Sequence, residues 1–150
     1  MDAIKTTSLT KYYGRARGIT DMNLTVEQGD FFGFIGPNGA GKSTTIRTLL
    51  GLTSPSEGSA QILGMDISRQ KEEILSHVGY MPSEASFYRN MRVRDVIGFS
   101  AELRRRDCRA EARNLCERLE LDVNKKIREL SLGNRKKVSI VCALQHMPEV

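Results

Sequence analysis

Residues 36–44, Gly-Pro-Asn-Gly-Ala-Gly-Lys-Ser-Thr, fit the pattern G-x-x-x-x-G-K-[ST], and few stretches of nine residues restrict a fold as much. Gly36, Gly39 and Gly41 let the chain curl so that successive backbone N–H groups face one hollow, where phosphate oxygens can sit with no Cβ in the way. Lys42 adds a cation for the β- and γ-phosphates, and Ser43 a hydroxyl for a divalent metal. Pro37, Asn38, Ala40 and Thr44 complete the predicted phosphate-binding loop. The flanks agree with this reading. Phe31-Phe32-Gly33-Phe34-Ile35 has three aromatics and no charge, which predicts a strand buried on both faces. Thr45, Ile46, Leu49 and Leu50 then fall at helical spacing with Gly51 as a stop. A helix starting near Gly41 would aim its positive end at the bound anion.

A chain of 150 residues with 39% hydrophobic and 27% charged composition supports one core of an ordinary water-soluble kind. The N-terminal Met1-Asp2-Ala3-Ile4-Lys5 lacks the apolar stretch of a secretory leader, and no run reaches the roughly 18 apolar residues of a membrane span. A cytosolic protein, or one peripheral to a membrane, is expected. Cys108, Cys116 and Cys142 have no C-x-x-C spacing and only His77 and His146 accompany them, so free thiols are expected rather than a metal site. The formal charge of +5 is concentrated in Arg104-Arg105-Arg106, Arg109, Arg113 and the 125–137 segment. A solvated helical face, or one near anionic headgroups, accounts for that as well as nucleic acid does.

Strands are predicted around Ile4 to Leu9 and Met22 to Val26, with a turn near Gly14 between them, and from Ala60 to Leu63 after a turn cluster at 53–59. Ser68 to Ser76 reads as a short helix, and Val78-Gly79-Tyr80-Met81 as a buried strand ended by Pro82. From Val93 to Leu121 the apolar residues Val93, Val96, Ile97, Ala101, Leu103, Ala110, Leu115, Cys116 and Leu119 lie among many charges, the pattern of a helical insert. Another helix is predicted after Leu130-Ser131, with Val138, Ile140, Val141, Leu144 and Met147 on its apolar face.

Three further segments resemble those of ABC-type ATPases. Leu9-Thr10-Lys11-Tyr12-Tyr13-Gly14 stands about two dozen residues before the phosphate loop, as the family's aromatic loop does, and Tyr13 aligns with the ring that stacks on adenine. The alternative for Tyr13 is a ring covering a strand edge. Leu130-Ser131-Leu132-Gly133-Asn134 is similar to the L-S-G-G-Q signature, with Leu132 replacing Gly and Asn134 replacing Gln. There Ser131 and the bare N–H of Gly133 would clamp a γ-phosphate, whereas Ser131 alone would be an ordinary helix cap. Gly79-Tyr80-Met81-Pro82-Ser83-Glu84 occupies the Q-loop position, with Ser83 where the family commonly has Gln, so the metal and water contacts of that loop would pass to Glu84, to a bridging water, or be lost.

The resemblance implies an α/β fold with a RecA-like P-loop NTPase core, N-terminal antiparallel β elements and an α-helical insert subdomain. Residues 1–82 would form the β and P-loop core, 83–90 the Q-loop region, 91–134 the helical insert with the signature, and 135–150 the signature helix. It further implies ATP and Mg²⁺ as ligands, a second ATP-binding subunit packed head to tail, a transmembrane permease partner, and a place on the cytoplasmic face of a membrane. The departures, Pro82-Ser83-Glu84 in the Q-loop and Leu132-Gly133-Asn134 in the signature, resemble those of bacterial antibiotic or peptide exporters, including the bacitracin-resistance type. The family's Walker B Asp, catalytic Glu and switch His would follow Val150, and His146 lies too early to be that His. The core is therefore expected to be incomplete, with apolar surface uncovered beside the P-loop strand and negligible hydrolysis by these residues alone. A GTPase is disfavoured because Asn124-Lys125-Lys126-Ile127 lacks the Asp of a base reader, and a phosphate-transferring kinase would need an acceptor site. A soluble ABC ATPase acting in DNA repair or translation, or a non-enzymatic ABC fragment, remain as rivals.

Overall fold

The computed structural model describes residues 1–14, 16–84 and 86–150, and divides into two compact units, 1–75 with Val150 and 76–149.

In the first unit β1 (Asp2–Tyr13) and β2 (Ala16–Glu27) form an antiparallel hairpin around Gly14, and β3 (Glu57–Ile62) and β4 (Met65–Asp66) extend the sheet in the order β2-β1-β3-β4. Both β1 and β2 run longer than the apolar pattern indicated. The hairpin register shifts near Thr6 and Leu9, where Ser8 and Asp21 adopt positive φ. Buried threonines repair the ladder at these bulges: the Thr6 hydroxyl donates to Met22 O and accepts from Leu24 N, both at 2.9 Å, and the Thr10 hydroxyl accepts from Asp21 N. Helix α1 (Lys42–Leu49) packs on β2 and β3, with Leu9, Ile62 and Leu49 buried in the core. Helix α2 (Lys71–His77) starts three residues later than Ser68, because Asp66 holds the Ser68 amide in a turn at 2.7 Å.

Two expected strands are absent. Phe31 to Ile35 is irregular, and Phe31 and Ile35 are almost fully exposed. No strand of the described sheet lies beside this run, so its N–H and C=O groups have no ladder to join. The expected uncovered apolar surface is visible here. Val78 to Met81 is likewise not a strand: Val78 is buried, but its carbonyl accepts from the ring of His146, and Tyr80 and Met81 are exposed.

The second unit is helical. Helices α3 (Val93–Leu103) and α4 (Arg109–Arg118) each pack on α5 (Leu132–Leu144), enclosing Val93, Val96, Leu115, Cys116, Val138 and Val141. Leu103, Ala110 and Leu144 are exposed on the remaining faces, Ala112 is buried instead of Ala110, and Met147, expected on the last helix, is exposed beyond its end at φ +53°. The start of α3 is tied to the loop before α5: Val93 N donates to Lys125 O and Ile127 N to Met91 O, each at 3.0 Å. All three cysteines are free thiols, and burial raises the pKa of Cys116 and of Cys142. No helix among the described residues is long and apolar enough to cross a membrane.

Candidate functional site

Within the first unit, Gly36 to Thr44 meets one distant expected site residue, Tyr13. Tyr13, Asn38, Gly39, Gly41, Lys42, Ser43 and Thr44 line one cleft of about 360 Å³, together with Gly18 of β2. Gly41 adopts φ +88° and is the N-cap of α1, so the chain turns directly from loop to helix. A side chain there would strike the Gly18 carbonyl oxygen and the Ile19 Cγ2 methyl, each 2.5 Å from its Cβ position. β2 therefore presses against the back of the loop. Gly39, at φ +84°, has open space where a Cβ would be, and this is room for an anion.

The loop is closed by its own lysine. Lys42 Nζ donates to Gly36 O at 2.6 Å and Pro37 O at 2.7 Å, which leaves one of its three N–H donors for a ligand. Ala40 N donates to Pro37 O, and the Thr45 hydroxyl donates to Gly41 O at 3.0 Å, so the turn into α1 is held from both sides. Ser43, on the first turn of α1, is exposed. The described residues contain no cluster of three or more His, Cys, Asp or Glu able to hold a metal, so a divalent ion here would rely on Ser43 and on phosphate oxygens. Open space at Gly39, one uncommitted ammonium donor and an exposed hydroxyl at a helix start suit a metal-bound phosphate chain.

Tyr13 is half exposed. Its Cε2 lies 3.3 Å from the Cβ position of Gly18, and the Lys11 ammonium stands 5.4 Å from the ring centroid. The ring both covers the strand and borders the cleft, so the two readings of this residue are compatible. Gly18 was not recognisable as a site residue, although a glycine inside a strand is a signal of close backbone approach.

The remaining candidates lie in the second unit. Ser131 is the N-cap of α5, its Oγ accepting from Asn134 N at 3.2 Å. Ser131, Leu132 and Gly133 are exposed, and the N–H groups of Leu132 and Gly133 have no carbonyl partner within the helix. Ser83 and Glu84 are exposed in the irregular segment after Pro82, next to Ala85, which lies outside the described residues. Gly79 is closely enclosed, its Cβ position 2.6 Å from Ala143 O and 2.8 Å from the Pro148 ring.

Part of the basic excess is engaged within the chain. Arg109 holds Asp107 at 2.7 and 2.9 Å, and these bonds keep the Asp107 carboxyl down at about 2. Lys137 Nζ donates to Leu119 O and Arg92 Nη1 to Asn124 O, each at 2.8 Å.

The arrangement is similar to that of known proteins. Residues 19–150 match the family model described as ABC transporter. The chain is 37% identical to the bacitracin transport ATP-binding protein BcrA of Bacillus licheniformis, over 98% of this chain and 49% of that protein. It is 34% identical to the probable multidrug ABC transporter ATP-binding protein YbhF of Escherichia coli, over 98% of this chain and 26% of that one. A solved ATP binding subunit of an ABC transporter superposes with a TM-score of 0.84 at 28% identity, covering 97% of this chain and 63% of its own. The chain thus spans about half, or less, of the curated relatives just described. With the P-loop NTPase fold, the loop at Gly36 to Thr44 and a family match over most of its length, the chain belongs to the ABC transporter family.

Proposed function

We propose that this chain is the ATP-holding part of an ABC transporter ATPase that powers export across a membrane. The observation that carries the reading is the Gly39–Lys42 geometry: two left-handed glycines open the loop, and an ammonium sits at its mouth. The amides of Gly39 to Lys42 and the positive end of α1 would bind the β-phosphate, Lys42 would neutralise the γ-phosphate, and Ser43 would supply a metal ligand. Tyr13 would stack on the adenine. Magnesium, when bound, neutralises phosphate charge; the loop positions that charge relative to the helix.

Residues 1–82 would be the β and P-loop core, 83–90 the Q-loop region, 91–134 the helical insert with the signature, and 135–150 the signature helix. Ser131, Leu132, Gly133 and Asn134 would face ATP held by a second ATP-binding subunit, offering the exposed first-turn amides of α5. Because that contact exists only in the closed pair, nucleotide would drive closure. Ser83 and Glu84 would couple closure to a transmembrane permease, placing the protein at the cytoplasmic face of the membrane. Residues 1–150 alone are proposed to bind ATP without appreciable turnover, since the Walker B Asp and catalytic Glu that the family uses are not matched among them. The names of the relatives, for bacitracin, multidrug and Nod factor transport, support export. The internal pairing of Arg92, Arg109 and Lys137 removes part of the motive for a nucleic-acid reading.

The test is calorimetry with ATP and magnesium on the full-length protein and on Lys42→Ala. Loss of a charge-assisted contact of about 2–3 kcal/mol predicts roughly a 30- to 150-fold weaker affinity. An unchanged affinity would remove the phosphate-loop assignment.

A further inference from the structure

Tyr13 borders the phosphate cleft and is 44% exposed, so its ring is free to swing into solvent unless neighbours hold it. Two features of the hairpin do so. The register of β1 against β2 shifts between Lys11 and Tyr12: Lys11 pairs with Ile19 and Tyr12 with Arg17, which leaves Gly18 as the extra residue of a bulge. With no Cβ at that bulge the ring edge approaches the β2 backbone, Tyr13 Cε2 standing 3.3 Å from the empty Cβ position. Lys11 is the second feature. It precedes Tyr13 by two residues in β1, so both side chains leave the same side of the strand, and its ammonium lies over the ring at 5.4 Å from the centroid.

Tyr13 lines the cleft together with Gly18 and Thr44, whereas Lys11 does not. The ring thus stands between the ammonium and the cleft, with the cation behind one face and the other face turned towards the loop. Among the described residues the ring is also the sole partner of that ammonium, since the Lys11 side chain makes no hydrogen bond and no ion pair there. A long cationic side chain on a partly exposed strand ordinarily keeps its charged end in water. Here that end covers an aromatic ring at the edge of a binding cleft.

We infer that Lys11 is a positioning residue for the nucleoside: it fixes the Tyr13 ring in the orientation that receives the base, the ammonium on one face and the base on the other. The inference rests on the ATP reading given above and adds to it the part of the site behind the stacking ring. A ring already fixed loses little freedom when the base arrives, so the contact raises affinity through preorganisation. Lys11 does not act on the triphosphate, which belongs to the loop at Gly36 to Thr44.

The experiment is calorimetry on the full-length protein with two ligands, ATP and inorganic tripolyphosphate, each with magnesium. Lys11→Met keeps the length of the side chain and removes its charge; it should weaken ATP about two- to fivefold and leave tripolyphosphate unchanged, which also reports that the variant is folded. Lys11→Arg, whose guanidinium can cover the ring as well, should restore the ATP affinity. Tyr13→Leu should weaken ATP by at least about fivefold, and in that background Lys11→Met should cost nothing further, because the lysine acts through the ring. Tripolyphosphate weakened as much as ATP would assign the ammonium to phosphate charge. Equal losses with and without the ring would place its action elsewhere, and tighter ATP binding by Lys11→Met would mean that the ammonium occupies the face the base needs. Each of these results would overturn the inference, as would an unchanged ATP affinity in Lys11→Met. Failure of the underlying reading looks different: unchanged ATP affinity in Tyr13→Leu removes the stacking assignment and this inference with it, and unchanged affinity in Lys42→Ala removes the phosphate loop.

Discussion

The carbonyl oxygen of Gly18 lies 2.5 Å from the point where a Cβ on Gly41 would stand, so a strand of the hairpin sets the shape of the phosphate loop. Gly41→Ala therefore combines a left-handed backbone, which costs a side chain about 1–2 kcal/mol, with an overlap against backbone that has little room to retreat. The expected loss is about 3 kcal/mol of stability with ATP binding strongly weakened, read from urea denaturation and calorimetry. Gly39→Ala is the control. It has the same sign of φ and open space, and should cost only about 1–2 kcal/mol. If the two variants proved equal, β2 would not be bracing the loop.

Ser131 is shown to cap a helix and proposed to meet a nucleotide, and one substitution separates these roles. Ser131→Ala removes the bond to Asn134 N and should destabilise the fold by about 1 kcal/mol. Ser131→Asp keeps a capping oxygen, so melting should change little, but it places a negative charge where a γ-phosphate is proposed to lie. ATP-driven dimerisation, followed by analytical ultracentrifugation, should then disappear while binding to the single subunit persists. Dimerisation that survives Ser131→Asp would leave the cap as the residue's whole function.

His146 introduces a pH dependence. Its Nε2 is 3.1 Å from Val78 O, and a carbonyl only accepts, so Nε2 carries the proton and the buried Nδ1 is bare. Charging the ring would put a second proton on Nδ1 with no acceptor. Burial first, and then Arg104, hold its pKa below the ordinary imidazole value. The unfolded chain takes up this proton near pH 6.5, while the folded one waits until lower pH. Stability should thus fall as pH drops below about 6.5 and stop falling on this account once the folded ring also titrates. His146→Gln, whose amide can still donate to Val78 O, should show a shallower fall in urea melts between about pH 8 and 5. An equally steep fall in the variant would assign the proton uptake to another group.

How legible these features were depended on whether their cause was local. The glycine spacing of 36–44 is a backbone property, and the turn into α1 begins where the sequence placed it. The face of α3 with Val93, Val96 and Ile97 was visible from periodicity because α5 covers it. Phe31 to Ile35 misled because an apolar run states that a segment prefers to be buried, not that a neighbouring strand is present to bury it. Val78 misled for a related reason: the partner of its carbonyl is a histidine ring 68 residues away, which no local pattern announces. Gly18 was passed over since its requirement comes from the Lys11 carbonyl oxygen on the neighbouring strand, 2.5 Å from where its Cβ would stand. In α4 the error was one of phase, with Ala112 turned inward and Ala110 outward.

The hold of Lys42 on Gly36 and Pro37 has a consequence for energetics. Two carbonyls of the loop itself hold the ammonium, so part of the entropy of shaping the curl is spent during folding. Affinity gained from the triphosphate need not be diverted into organising its own receptacle, and more remains to bias the movements that follow.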